Sequence, residues 1–195
     1  MTRAQDSLYP YRSLLSLDTA KNAFKGLMKA IRSPGVEYYN RENVKFAETV
    51  SPEQRDEYIQ WNIEDHQKDF GKAYQYKEDW IDLLEKLKAN NPKTHFTIIT
   101  TPVSQQWFDE FVTSNHLADY KKWLTETVWV FGEVHHFMDM NSITKNIDNF
   151  FDAHHVYQNI TQMMAKKVTG VSNNSPQDFG VLLTPKNIED YLSKF

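Results

Sequence analysis

The feature that most constrains the fold is a change in the spacing of apolar residues near residue 90. Before that point, apolar residues recur every three to four positions, the period of an amphipathic helix. Residues 95–100, HFTIIT, instead form a short β-branched run bounded by Pro92 and Pro102, which is typical of a buried strand. Strands that alternate with helices predict parallel strands joined by helical crossovers. The sequence therefore predicts an α/β chain with more helix than strand.

Helix signals account for most of the remaining chain. Apolar spacing predicts helices over residues 12–32, 52–89 and 156–168. In the helix predicted over residues 52–89 the helical pattern is weakest near Gly71, and the helix predicted over residues 156–168 ends at Gly170. One face of the first helix is lined by Leu17, Ala20, Phe24, Leu27 and Ile31. Six glycines and seven prolines are few for 195 residues, so the chain is poor in tight turns and rich in helix.

Two serines are expected to begin helices, and two further segments are expected to be extended. Residues 51–54, SPEQ, combine an N-cap serine with proline at N1 and glutamine at N3, the pattern of a capping box. Ser104 is placed to cap the helix that follows it. Residues 128–131, VWVF, predict a second buried strand, and residues 136–139 predict a short extension or strand end.

The composition excludes several classes of protein. Twenty-two Lys and Arg against 26 Asp and Glu give a net charge of −4, which argues against a protein that binds nucleic acid by neutralising phosphates. The absence of cysteine excludes a disulfide scaffold, a thiolate metal site and a cysteine nucleophile. No run approaches 18 apolar residues, and residues 1–12 lack the apolar core of a signal peptide. We therefore expect a soluble chain without an export signal.

The segment most suggestive of chemistry is D-x-x-H at residues 152–155, where a loop meets a predicted helix. An aspartate three residues before a histidine, on a turn, is placed to accept the imidazole Nδ1–H. That bond sets the tautomer and leaves Nε2 as a general base toward a hydroxyl nucleophile. The same four residues also fit a capping aspartate beside a solvated histidine, so the motif alone leaves both interpretations open.

Two segments around this motif resemble the C-terminal block of SGNH-hydrolase-like proteins of bacterial envelopes, the GDSL-type esterases and acyltransferases. The segments are residues 137–144, FMDMNSIT, and residues 149–155, NFFDAHH. In that family a strand ending in an Asp-Phe-like pair leads into an n-x-I-T turn, then into an N-Y-Y/F-D-x-x-H loop and the last core helix. The resemblance covers about residues 9–170 and is weaker at residues 9–11, 14–19 and 101–103.

The resemblance implies a three-layer α/β/α fold, flavodoxin-like with a short parallel sheet, and a Ser-His-Asp triad. The matching positions are Asp152, which would orient the imidazole, and His155, which would be the base; the adjacent His154 is the alternative base. The implied substrates are acyl esters of cell-envelope glycans, which would be hydrolysed or transferred to an acceptor. The implied location of the full-length family is the bacterial cell envelope, outside the cytoplasm, and no cofactor is implied.

The chain departs from the family at the nucleophile. The family's serine lies in a G-D-S or G-S-S block after its first strand, and this sequence has no such block. Its one G-x-S, at residues 170–172, follows the histidine and has the pattern of a helix end. Ser13, Ser16 and Ser104 lack the glycines of a strand-to-helix elbow. We therefore expect residues 1–170 to be the C-terminal part of such a domain, with little or no esterase activity in this chain alone.

An incomplete sheet raises the question of what covers its edges. A parallel sheet without its first strand leaves unpaired backbone groups and an exposed apolar face. Residues 171–195, predicted as a loop and a short terminal helix appended to the domain, are one candidate cover. A homodimer is the other.

Two further interpretations of the sequence stay open. One is an interaction module that keeps the fold and has no catalytic activity. The other is a metal-dependent hydrolase built on the histidine doublets His135-His136 and His154-His155. Adjacent residues of a strand point to opposite faces, so each doublet supplies at most one ligand in a simple geometry, and no H-E-x-x-H pair is present. We therefore predict neither a metal site nor a cofactor.

Overall fold

The computed structural model describes residues 16–32, 37–42, 45–71, 74–171 and 174–195. The chain divides into two units, Met1–Glu48 and Thr49–Phe195. The first unit contains helix α1 (Leu17–Arg32) and an antiparallel pair of strands, β1 (Glu37–Tyr39) and β2 (Lys45–Ala47). The prediction of a helix over residues 12–32 is confirmed from Leu17 onward. Residues 9–15, which include Ser13, lie outside the described residues.

The second unit is a helix-rich α/β arrangement. Its elements are, in chain order, α2 (Pro52–Phe70), α3 (Trp80–Asn90), β3 (Ile99–Thr100), α4 (Gln105–Thr113), α5 (Leu117–Phe131), β4 (Val134–His136), a 3-10 turn (Ile147–Asn149), α6 (Gln158–Val168), β5 (Val181–Leu183) and α7 (Ile188–Leu192). The predicted α/β class is confirmed. None of the described helices is both long enough and apolar enough to span a membrane.

The sheet of this unit has three strands in the order β3-β4-β5. Strands β3 and β4 are parallel, with Thr100 opposite His136, and the crossover between them contains α4 and α5. Strand β5 runs antiparallel to β4, with Leu183 opposite Val134. The expected all-parallel sheet is therefore corrected to a mixed one, because its third strand comes from the C-terminal segment instead of another helical crossover.

The strand predicted at residues 128–131 is wrong. These residues form the last turn of α5, which ends where Gly132 adopts the left-handed conformation with φ of 88°. Tyr120, Leu124 and Val128 are all buried and lie four residues apart, so they continue one helical stripe. The β-branched and aromatic composition of this run is typical of a strand, but Val128 is buried as the next member of the helical stripe. The next strand, β4, begins only at Val134.

The predicted helix starts are confirmed. The hydroxyl of Ser51 accepts a hydrogen bond from the N–H of Gln54, whose side chain accepts one from the N–H of Ser51, which completes the capping box. Ser104 caps α4 by accepting a hydrogen bond from the N–H of Trp107. The helix predicted over residues 52–89 is interrupted after Phe70. The weak point at Gly71 is therefore a break between two helices.

The C-terminal segment belongs to the core of the second unit, which corrects the prediction of an appendage over residues 171–195. Two clusters form this core, and the segment contributes to both: Leu183, Ile188 and Tyr191 to one and Phe179 to the other. Strand β5 of this segment also pairs with β4, so the segment, which was one of the two candidate covers, lies along one edge of β4.

Candidate functional site

Asp152 and His155 form a hydrogen-bonded pair. The Nδ1 atom of His155 lies 2.7 Å from Oδ2 of Asp152. The second carboxylate oxygen, Oδ1, accepts hydrogen bonds from the N–H groups of His154 (2.9 Å) and His155 (2.8 Å). The side chain of Asp152 is 15% exposed and that of His155 is 47% exposed. The predicted D-x-x-H geometry is therefore present, with the aspartate mostly buried and the imidazole half exposed.

The loop that carries this pair is closed on itself. Phe150 and Val156 form an antiparallel bridge, and the N–H of Phe151 donates to the carbonyl of His155 over 3.2 Å. The ring of Phe151 stacks parallel to that of His155, with centroids 5.6 Å apart. Phe150 and Phe151 are both buried. Both phenylalanines are thus buried beneath the loop's backbone bridge, and Phe151 supports one side of the imidazole.

Ala153, between the two members of the pair, is clamped by two helices. Its N–H donates to Oδ1 of Asn62 on α2 over 3.2 Å. Its carbonyl accepts from the Ser104 hydroxyl (2.7 Å) and from the Ser104 N–H (3.0 Å) at the start of α4. All three residues are buried. Because each backbone polar group of Ala153 has a partner on another element, the position of the loop depends on α2 and α4.

Asn62 is a positioning residue that sequence reasoning missed. It is buried on α2 together with Ile59 and His66, at spacings of three and four. A polar residue within the buried stripe of a helix is a signal of a specific hydrogen-bond partner. The sequence alone does not say which backbone group that partner is, because Ala153 lies 91 residues away.

Ser104 is one of the serines weighed as a nucleophile from the sequence. The structure buries it completely, and its hydroxyl donates to Ala153 and accepts from the N–H of Trp107. That hydroxyl is committed to the cap and to the clamp. Ser16, in the first unit, lies within 2.9 Å of the Thr19 hydroxyl through its Oγ atom.

The last four residues of the other motif segment (137–144), residues 141–144, form a tight turn. The side-chain oxygen of Asn141 accepts from the N–H groups of Ile143 (2.9 Å) and Thr144 (3.1 Å). The carbonyl of Thr144 then accepts from the N–H of Gln105, the residue after the Ser104 cap. The turn and the Asp152–His155 loop therefore meet at the N-terminus of α4.

Burial and neighbouring groups set the charge states of Asp152 and His154. Burial on its own would raise the pKa of Asp152, but the hydrogen bonds from His155 and from the His154 N–H, with the nearby imidazoles, lower this pKa overall. Asp152 is therefore ionised at neutral pH. Burial lowers the pKa of His154, and this effect outweighs the attraction of Asp152. His154 is consequently neutral near pH 7.

The contacts of the two rings distinguish His154 from His155. His154 packs against Trp107, with centroids 4.9 Å apart, and its buried Nδ1 has no hydrogen-bond partner within the described part of the chain. His155, in contrast, holds the carboxylate. Of the two candidate bases in the sequence, His155 is the one bonded to Asp152.

The other histidine doublet does not contribute to this site. His136 is fully buried, with Nδ1 2.9 Å from the Thr100 hydroxyl and Nε2 2.9 Å from the Tyr120 hydroxyl. Both ring nitrogens are thus engaged inside the core. The candidate metal ligands that the described residues bring together are instead Asp152, His154 and His155, whose ligand atoms lie within 4.8 Å of one another.

A pocket of about 690 Å³ lies elsewhere in the second unit, where α3 and α5 end and the chain approaches β3. Its lining includes Lys88, His95, Phe96, Phe131 and Glu133, and neither Asp152 nor His155 belongs to it. Lys88 is held there by a hydrogen bond to the carbonyl of Val130.

In comparisons with protein-family models, with curated proteins and with solved structures, no family, protein or structure matches the chain.

Proposed function

We propose that Asp152 and His155 are the orienting acid and the general base of an SGNH-like ester hydrolase or O-acyltransferase. The observation that carries this proposal is the 2.7 Å contact between Nδ1 of His155 and Oδ2 of Asp152, with the second carboxylate oxygen held by two backbone N–H groups. A neutral imidazole that donates from Nδ1 has its lone pair on Nε2, which is the atom that accepts a proton from an attacking hydroxyl.

The electrostatics of the pair support this assignment of roles. The carboxylate of Asp152 stays ionised because its pKa is lowered, and it stabilises the positive charge that forms on His155 when a proton is accepted. The Ala153 clamp and the stacked ring of Phe151 restrict the loop, which reduces the reorganisation needed during the reaction. The proposed substrates are acyl esters of cell-envelope glycans, and the proposed architecture is the three-layer SGNH fold.

The reaction also requires a serine and donors for the oxyanion. In SGNH-like proteins these come from a glycine-containing block that is not found in these 195 residues. The proposal therefore has two parts: the Asp152–His155 pair lies in this chain, and the serine block is encoded elsewhere in the gene. It predicts that the 195-residue chain hydrolyses 4-nitrophenyl acetate no faster than buffer with free imidazole.

The test is hydrolysis of 4-nitrophenyl acetate by the complete reading frame that contains this chain. We expect His155→Gln and Asp152→Asn each to lower kcat by about 10³-fold or more, because the triad acts as a unit. His154→Gln is the matched control and is expected to change kcat less than about tenfold, since His154 holds the carboxylate only through its backbone N–H, which the substitution keeps. A reading frame without a serine block, or variants at residues 152 and 155 with unchanged kcat, would contradict the proposal.

A second candidate function is metal-dependent hydrolysis at Asp152, His154 and His155, favoured by the clustering of their ligand atoms within 4.8 Å. A metal bound by Oδ2 of Asp152 and Nδ1 of His155 would replace the hydrogen bond between these two atoms. The same assay separates the two candidates. Activity lost to a chelator, restored by Zn²⁺ and reduced equally by His154→Gln and His155→Gln would support the metal site. Activity lost to a serine-directed fluorophosphonate would support the proposed triad.

A further inference from the structure

Helix α1 presents three large apolar side chains to solvent. Leu17 is 69% exposed, Phe24 is 64% exposed and Leu27 is 57% exposed. Their spacings of seven and three place all three on one side of a helix of 16 residues. The sequence pattern of this helix is the same as that of a core-facing helix, but these side chains are not buried in the structure. A cluster of large exposed apolar residues on one helix face marks an interaction surface.

The same helix is strongly basic, although the chain as a whole carries a net charge of −4. Its sequence, LDTAKNAFKGLMKAIR, contains four cationic residues and one acidic residue. Each residue of a helix rotates by about 100°, so Lys21 and Lys25 lie along one flank of the apolar face. Both lysines are exposed. The helix therefore combines an apolar face with a cationic border.

The charge of the helix decides which occupant fits this face. A second copy of the chain would bring an equally basic helix against this one, so the lysine borders would repel each other. The 16 residues of the helix also span about two heptads, fewer than the three to four over which a sequence indicates a coiled coil. An anionic lipid surface fits both features of the helix. Its acyl chains form an apolar layer that can receive the apolar face, and the negative phosphates above this layer lie at the level of the lysines.

We propose that α1 binds the surface of an anionic lipid bilayer. Leu17, Phe24 and Leu27 enter the boundary between headgroups and acyl chains, and Lys21 and Lys25 contact the phosphates. The helix lies in the plane of the interface, as short amphipathic helices with basic borders do. This binding is independent of the Asp152–His155 pair and goes beyond the proposed hydrolase function, because it concerns where the chain is held and not what it catalyses.

The test uses the complete 195-residue chain and vesicles of pure dioleoylphosphatidylglycerol or pure dioleoylphosphatidylcholine, with co-sedimentation as the readout. We expect binding to the phosphatidylglycerol vesicles to be at least about tenfold stronger than to phosphatidylcholine, and to weaken in 0.5 M NaCl. Phe24→Glu removes apolar contact and adds a negative charge, so it is expected to reduce binding by about tenfold or more. The matched control is Trp129→Glu, which alters an exposed aromatic residue outside α1.

The contribution of the lysines to binding is tested with two double variants that change the net charge equally. The double variant Lys21→Glu/Lys25→Glu is expected to reduce binding to phosphatidylglycerol by about tenfold or more. The control Lys93→Glu/Lys186→Glu makes the same change in net charge at exposed sites outside α1 and is expected to keep most of the binding. Equal loss in both double variants, or equal binding to the two lipids, would overturn the proposal. A dimer in light scattering that Phe24→Glu dissociates in the absence of lipid would overturn it in favour of a second copy.

Discussion

The buried imidazole of His136 makes the stability of the second unit depend on pH. The hydroxyl of Tyr120 donates to the carbonyl of Met138 over 2.8 Å, so at its 2.9 Å contact with Nε2 it acts as the acceptor. The ring is therefore neutral with its proton on Nε2, and Nδ1 accepts from the hydroxyl of Thr100. That hydroxyl oxygen in turn accepts from the N–H groups of Phe137 and Met138. A second proton, placed on Nδ1 of His136, would face the donating hydroxyl of Thr100 and break this hydrogen-bond network.

The size of the effect follows from the pKa of His136. Burial lowers this pKa from its ordinary value of 6.5 to about 4. Because the folded-state pKa is the lower one, the unfolded chain binds more protons between these two values. The stabilisation is full above pH 6.5 and is lost as the pH falls toward 4. At about 1.4 kcal/mol per pKa unit, the loss over the window is about 3 kcal/mol, most of it reached by pH 4.5.

Urea unfolding followed by tryptophan fluorescence at pH 7.0, 6.0, 5.0 and 4.5 measures this loss. The diagnostic variant is His136→Gln, which keeps a donor and an acceptor but does not titrate. Other groups contribute to the pH dependence, including Asp139, whose pKa is raised by burial, and they cancel in the difference between wild type and variant. We expect wild type to lose about 2–3 kcal/mol more than His136→Gln between pH 7.0 and 4.5. Equal losses in the two proteins would refute the reasoning.

Two further predictions concern the clamp and the turn before β5. Asn62→Leu leaves the buried N–H of Ala153 without its partner, so it is expected to lower the free energy of unfolding by about 1–3 kcal/mol, measured by urea titration; an unchanged midpoint would contradict the clamp. Gly180→Ala and Gly132→Ala both place a side chain at positive φ, but only the first drives its Cβ into the ring of Phe137. Gly180→Ala is expected to lower Tm by several degrees more than Gly132→Ala, and equal shifts would contradict that clash.

Features that depend on a few neighbouring residues were predictable from the sequence. The Ser51 capping box, the Ser104 cap and the Asp152–His155 hydrogen bond each connect residues no more than three positions apart. The buried strand predicted at residues 95–100 was found only in part, since the strand is limited to Ile99–Thr100 and Ile99 is 48% exposed. Local backbone geometry brings such groups together whatever the rest of the chain does, so the residue pattern is sufficient evidence for them.

Features that depend on residues far apart in the chain were not predictable from the sequence. The run at residues 128–131 has the composition of a strand, yet it is helical because Val128 continues the stripe that Tyr120 and Leu124 bury in the core. Strand β5 was predicted as part of a loop, since three residues carry little periodic signal of their own. Its extended conformation is stabilised by pairing with β4, about 50 residues earlier in the chain.

The sequence by itself determined the helix starts, the α/β class and the Asp-x-x-His pair, because each is encoded in short-range spacing. Only the tertiary structure decided that the sheet is mixed, that the C-terminal segment completes it, and that Asn62 and Ser104 hold the loop between the pair. These outcomes are set by burial and by the need of each buried backbone group for a partner, and the partner is chosen in three dimensions from residues far apart in the chain.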